Sequence, residues 1–239
     1  FDPEEAEQIE IGSKNEFLDG ALQLNIAYYK LERDAGQFSS IITLPPGSIP
    51  GTTTLINNGA GSETDGWEIE GRWIIDDNWS LIFNGGTTDA DNKQFSIACE
   101  NVDGCAGGDP EGTLRVLGGN DDSRQPEWSG SVSVAYVRDI GAGTLSANVG
   151  YKKVGSFLLV NTGGGADQRL FEGGYGQWDA RVSYEMELAN GATLGLSAYG
   201  RNLSDEEWRE QALFLGAFRT GFQGWGAPRT GFFEIKYSM

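Results

Sequence analysis

Trp178-Asp179-Ala180-Arg181-Val182-Ser183-Tyr184-Glu185-Met186-Glu187 alternates without a break: Trp, Ala, Val, Tyr and Met take the even positions, and Asp, Arg, Ser, Glu and Glu the odd ones. An extended chain sends successive side chains to opposite faces, so this stretch reads as a β-strand with one apolar and one polar side. The same period recurs along the chain. Leu22, Leu24, Ile26 and Tyr28 alternate with Gln23, Asn25, Ala27 and Tyr29, and Trp67, Ile69, Gly71 and Trp73 with Glu68, Glu70 and Arg72. Val132, Val134 and Tyr136, then Leu145, Ala147, Val149 and Tyr151, and finally Phe233, Ile235, Tyr237 and Met239 repeat it.

Extending this reading places about nine strands, near 5–14, 20–35, 64–75, 79–90, 126–139, 144–157, 175–188, 192–202 and 228–239. The connections alternate between two kinds. Short turns fall at Phe17-Leu18-Asp19-Gly20, Asp76-Asp77-Asn78, Asp139-Ile140-Gly141-Ala142-Gly143 and Ala189-Asn190-Gly191, rich in the Asn, Asp and Gly that tight hairpins need. Long polar segments fall near 36–63, 91–125, 158–174 and 203–227.

Composition narrows the class. The 239 residues include 36 Gly and only 7 Pro, with 11% aromatics, which suits many strands joined by turns. Mean hydropathy is -0.37, and no run approaches the ~18 apolar residues of a spanning helix. A membrane barrel stays open, because only alternate residues of its strands face lipid. A net charge of -18 repels phosphate backbones, so nucleic acid is not an expected partner. The opening Phe1-Asp2-Pro3 lacks the basic and apolar regions of a signal peptide, and the sequence is expected to be that of a mature or truncated exported chain.

Two all-β architectures fit two-faced strands. A soluble, carbohydrate-binding β-sandwich buries one face of each sheet against the other. An outer-membrane barrel turns the apolar face to lipid and the polar face to its interior, with tight turns at one end and long loops at the other. Strands of about ten residues, Glu and Arg on the non-apolar face, and the alternation of short and long connections favour the barrel. Trp67, Trp73, Trp79, Trp128 and Trp178 near strand ends suit the membrane interface.

Particular residues carry a family resemblance. Glu7-Gln8-Ile9-Glu10-Ile11-Gly12-Ser13-Lys14, Phe17-Leu18-Asp19-Gly20 and Leu22-Gln23-Leu24-Asn25-Ile26-Ala27-Tyr28-Tyr29 resemble a hairpin of TonB-dependent receptors. Gly66-Trp67-Glu68-Ile69-Glu70 and Gln125-Pro126-Glu127-Trp128-Ser129 are similar to inner strands of that family. Trp178 to Tyr184, then Gly200-Arg201-Asn202-Leu203-Ser204-Asp205-Glu206 and Pro228-Arg229, look like its closing segment. The motifs stand in the family's order over almost the whole chain.

The resemblance implies an all-β, antiparallel, up-and-down transmembrane β-barrel in partial form, the nine C-terminal strands of a barrel of about 22. Residues 1–239 would all belong to the barrel, with the plug domain and earlier strands supplied by the same gene or an adjacent one. The implied location is the cell outer membrane. The implied partners are its lipid, the plug, TonB acting through the plug, and a small-molecule ligand such as a siderophore, vitamin or saccharide. The chain ends in Met239 where the family usually has an aromatic residue.

Few residues offer site chemistry. Histidine is absent, which removes the usual general base and the usual haem ligand, and no nucleophile elbow, metal-binding pair or phosphate loop occurs. No catalytic residue, metal or cofactor is expected, and an outer-membrane hydrolase is disfavoured. Cys99 and Cys105, six positions apart in the second long loop, suggest a small disulfide ring; unpaired or metal-binding thiols are the alternative. Arg219, Phe222, Trp225 and Arg229, where long loops meet the interior, could hold an anionic or aromatic ligand. The ordinary reading is that the aromatics belong to the interface girdle and the arginines pair with carboxylates or lipid phosphate. Arg201-Asn202-Leu203 with Asp205 reads as structural, guiding a strand into its loop.

Overall fold

The computed structural model describes residues 1–43, 49, 52–59, 61–92, 95–98, 114–117, 125–161, 169–215 and 220–239. Among these residues, nine long strands follow one another in space in the order of the chain: β1 (Glu5–Phe17), β2 (Leu22–Asp34), β5 (Ser62–Ile74), β6 (Trp79–Thr87), β10 (Trp128–Ile140), β11 (Gly143–Val154), β14 (Tyr175–Glu187), β15 (Thr193–Arg201) and β18 (Thr230–Ser238). Every neighbouring pair is antiparallel. A tenth strand, β7 (Asp89–Asn92), prolongs β6 against the outer part of β5. No helix long and apolar enough to cross a membrane occurs among the described residues.

Register carries the two-faced pattern across the sheet. On one side, Asn15, Leu24, Gly71, Phe83, Val132, Tyr151 and Trp178 are successive partners, and Trp79, Tyr136, Ala147, Val182, Ala198 and Phe233 form another such row. On the other, Lys14, Asn25, Glu70, Asn84, Ser131, Lys152 and Gln177 stand side by side. A slip of one residue at any pair would set a charged row beside an apolar one, which is why the alternation pins the register.

Among the described residues, no second layer covers the apolar face. Phe233 is 69% exposed, Ile235 64% and Trp67 56%. In a sandwich these side chains would form the dry middle, so the sandwich is excluded. Rings cluster toward both ends of the strands, Tyr28 against Trp67 at 5.1 Å and Tyr151 against Trp178 at 4.6 Å near the long connections, and Trp79 against Tyr136 at 4.6 Å near the short turns.

All short turns lie at one end, held by local polar groups. Asp76 Oδ1 accepts from the backbone N–H of both Asn78 and Trp79 at 2.8 Å, and Leu18 and Asp19 adopt φ of 53° and 56°, the hand a twisted hairpin favours.

The long connections differ from the expectation of polar loops. Each contains a two-stranded ribbon: β3 (Gln37–Thr43) with β4 (Thr52–Asn58), β8 (Phe95–Ala98) with β9 (Leu114–Leu117), β12 (Phe157–Asn161) with β13 (Arg169–Glu172), and β16 (Arg209–Leu215) with β17 (Thr220–Trp225). The physical reason is that a long excursion leaves backbone donors and acceptors needing partners, and folding back on itself supplies them locally. Short β-branched and aromatic runs within polar surroundings, such as Phe38 to Thr43 and Phe95 to Ile97, were the signal.

Candidate functional site

The polar face carries an open hollow that runs along the first four wall strands. A cavity of about 870 Å³ opens there, lined among others by Glu10, Lys14, Asn25, Tyr29, Glu68 and Glu70. Asn25 Nδ2 donates to Glu70 Oε1 at 2.7 Å, and the Tyr29 and Thr88 hydroxyls share a hydrogen bond of 3.2 Å. Further round the wall, Arg181 lies 5.5 Å from the Tyr199 ring centre, and the Tyr199 hydroxyl donates to Glu234 at 3.3 Å. Fixed dipoles and mixed charges, with water access, make this a surface for polar or charged contacts. No group of three His, Cys, Asp or Glu able to hold a metal occurs among the described residues.

Above the wall, two ribbons are braced into one body. The Glu172 carboxylate accepts from the Arg209 backbone N–H at 2.9 Å, from Arg209 Nε at 3.1 Å and from the Gly173 N–H at 3.0 Å, while Arg209 Nη2 donates to the Phe171 carbonyl at 2.7 Å. Glu172 is buried, so each carboxylate oxygen is answered by fixed donors where water is largely excluded. Nearly all the buried apolar side chains among the described residues belong to this end of the sheet and its ribbons: Val154, Leu158, Leu159 and Trp208. The Trp208 ring stacks on Tyr175 with centroids 4.7 Å apart and planes at 13°.

Gly226 is what lets Trp208 sit there, since a Cβ at that position would fall 2.0 Å from the ring. Gly226→Ala is therefore expected to destabilise the ribbon pair by about 1–3 kcal/mol. Limited proteolysis should cut the 202–229 segment faster in the variant, and an unchanged cleavage rate would show that the ring can shift freely.

Asn202 closes the base of this body. It is buried, with φ of 49°. Its N–H donates to Asp179 Oδ1 at 2.9 Å, its Nδ2 donates to the Glu206 and Ala227 carbonyls at 2.8 and 3.1 Å, and its Oδ1 accepts from the Glu206 N–H at 2.9 Å. Asp205 then accepts from the Arg229 backbone at 3.0 Å and pairs with its guanidinium at 3.5 Å. The structure thus gives Asn202, Leu203, whose N–H donates to the Trp178 carbonyl, and Asp205 the strand-to-loop role expected from sequence for the Arg201-Asn202-Leu203 and Asp205 motif.

The residues singled out for ligand contact are spread over this body. Phe222 and Trp225 are both exposed on β17, but three positions apart in an extended strand they project to opposite sides. Phe222 stands across from Leu213 and Trp225 across from Arg209. Arg229 follows the ribbon and faces Asp205. Arg219, Cys99 and Cys105 lie outside the described residues. Glu172, Trp208, Arg209 and Tyr175 went unmarked in the sequence, where only the compact Glu206-Glu207-Trp208-Arg209 run hinted at anything other than open loop.

The family model for the TonB dependent receptor-like β-barrel matches residues 1–203. The chain belongs to that family. Its location is accordingly the outer membrane, with the exposed apolar face turned to lipid and the polar face to the barrel interior. The chain is 34% identical over 102 residues to the ferric-pyoverdine 358 receptor of Pseudomonas putida, across 40% of this chain and 12% of that receptor. It superposes on the ferric yersiniabactin uptake receptor of Yersinia pestis with a TM-score of 0.69 at 17% identity, covering 99% of this chain and 30% of that one. For the siderophore receptor PiuA of Acinetobacter baumannii the TM-score is 0.63 at 20% identity, with 96% and 28% covered. At such identities the solved structures speak to fold alone, and this chain spans under a third of each. The relatives are receptors rather than enzymes.

Proposed function

We propose that this chain supplies part of the wall and several outward ribbons of a receptor that binds a ferric siderophore at the cell surface and imports it, driven by TonB through a plug in the barrel interior. The observation that carries the reading is a wall with an open cavity on its polar face, together with a braced ribbon body that exposes an aromatic ring on each side of β17. Two further sources support it. The family supplies the barrel and the energy coupling, and the names of the Pseudomonas and Yersinia relatives supply the ligand class.

In this reading the sheet, whose β1 and β18 edges have no partner among the described residues, continues into further strands, because unpaired backbone is not tolerated in lipid. Ferric iron is cargo carried within the ligand. Phe222 and Trp225, one on each side of β17, offer a ring to the ligand on whichever side it arrives, and Arg219 and Arg229 offer positive charge to its acidic groups. Cys99 and Cys105 would close a ring that shapes the neighbouring loop.

Binding of ferric pyoverdine to the full receptor tests this. Phe222→Ala with Trp225→Ala is expected to weaken binding by about tenfold or more, the range for exposed aromatic anchors, with receptor abundance in the membrane unchanged. If neither ferric pyoverdine nor ferric yersiniabactin binds the intact receptor, the ligand class is wrong. If one binds and the double variant binds it equally well, the ribbon is not the contact surface.

A further inference from the structure

Two lysines stand on the lipid-facing side of the wall near its ribbon end, and the chain treats them differently. Lys30, beside Ile9 and Asp65, gives its ammonium to Glu63 at 2.7 Å and Glu32 at 3.0 Å. Lys153 stands between Gly130 on β10 and Gly176 on β14, and has no ion pair or hydrogen bond from its side chain among the described residues. A glycine on each side leaves that ammonium without flanking side chains in its own row.

The neighbouring rings bring further donors. The Tyr151 hydroxyl reaches over Gly176, where a Cβ would lie 2.3 Å from it, and the Trp128 indole edge lies along Gly155, where a Cβ would fall 2.9 Å from Nε1. Neither the hydroxyl nor the indole N–H has a hydrogen-bond partner among the described residues. Trp128, Tyr151 and Trp178 belong to the aromatic girdle on this side, Tyr151 and Trp178 being in direct ring contact.

We propose that Lys153, the Tyr151 hydroxyl and the Trp128 indole N–H form a site for the phosphate group of an anionic lipid in the outer leaflet. The hydroxyl over Gly176 and the indole edge over Gly155 flank the lysine on the same face, at the height where aromatic girdles meet lipid head groups, on a face that otherwise touches acyl chains. A cation there lacks full hydration, and phosphate is the anion the membrane itself brings to that depth. The rings on either side would hold the adjoining acyl chains. A protein or soluble-ligand occupant would need an exposed patch clear of lipid, which this row is not.

The test uses the full receptor purified from outer membranes in dodecyl maltoside and titrated with bis-phosphorylated lipid A, with retention read by native mass spectrometry. The expected result is one tightly retained lipid in the unmodified protein. Lys153→Gln should weaken retention by about fivefold, the weight of one lysine at an anionic surface, and Tyr151→Phe by less. Lys30→Gln, which removes a lysine already paired within the protein, should leave retention unchanged. Dephosphorylated lipid should bind no better to the unmodified protein than to Lys153→Gln. Equal retention by Lys153→Gln and the unmodified protein would overturn the site. So would equal binding of the dephosphorylated lipid, and so would full displacement by millimolar inorganic phosphate, which would mark a free-anion site instead.

Discussion

Val182→Arg is expected to lower the stability of the assembled barrel in a bilayer by about 2–4 kcal/mol, whereas Arg181→Gln, one residue away, should cost less than about 1 kcal/mol. Val182 sits midway between Trp178 and Met186 on the lipid face, with Ala147 and Ala198 as its cross-strand partners. At four residues from either end, about 13 Å along the strand, an arginine there cannot reach an interface without bending its whole length past two small neighbours. Arg181 points into the interior, where Ser197 Oγ lies 3.5 Å from it and Tyr199 beneath it, and water replaces what glutamine cannot offer. Urea-driven unfolding from phosphatidylcholine vesicles measures both. Equal losses for the two variants, or a larger loss at Arg181, would mean that the faces are assigned the wrong way round.

Asn202→Ala should cost about 3 kcal/mol and should open the loop base before the wall. The Glu206 N–H and the Glu206 and Ala227 carbonyls would lose their partners in a place closed to water, and alanine would also have to hold the left-handed backbone at φ 49°. Asn202→Gly separates the two effects, since glycine accepts that φ and loses only the side-chain bonds, so it should be milder than alanine by about 1 kcal/mol. Hydrogen exchange at the Glu206 amide reports the opening directly. If that amide exchanges as slowly in Asn202→Ala as in the unmodified chain, the side chain is not what holds the segment.

These two sites differ in how visible they were beforehand. Val182 could be assigned to its face from its neighbours alone, because period-two alternation needs nothing beyond the order of residues. Asn202 could be suspected from the Gly-Arg-Asn-Leu-Ser-Asp run, but beyond nearby Glu206 its partners Asp179 and Ala227 are 23 and 25 residues away, and nothing local announces that distance. Glu172 and Arg209 show the same limit more strongly. Separated by 37 residues in two different loops, they read as ordinary surface charges until the ribbons are brought together. Phe222 and Trp225 are a third case, grouped by sequence proximity and parted by the strand that carries them.

The amino-acid sequence by itself determined the nine wall strands, their antiparallel order, the face each residue occupies and the end at which the turns lie. Alternation and turn chemistry are local properties, and the register of a two-faced sheet follows from them once a slip would place charge in lipid. Only the tertiary structure decided that the apolar face is uncovered, that the long connections fold into ribbons, and that a buried carboxylate, a stacked indole and one asparagine brace two of those ribbons. Those features depend on which distant segments meet, and that is set by the closing of long loops over the sheet end rather than by any repeat within them.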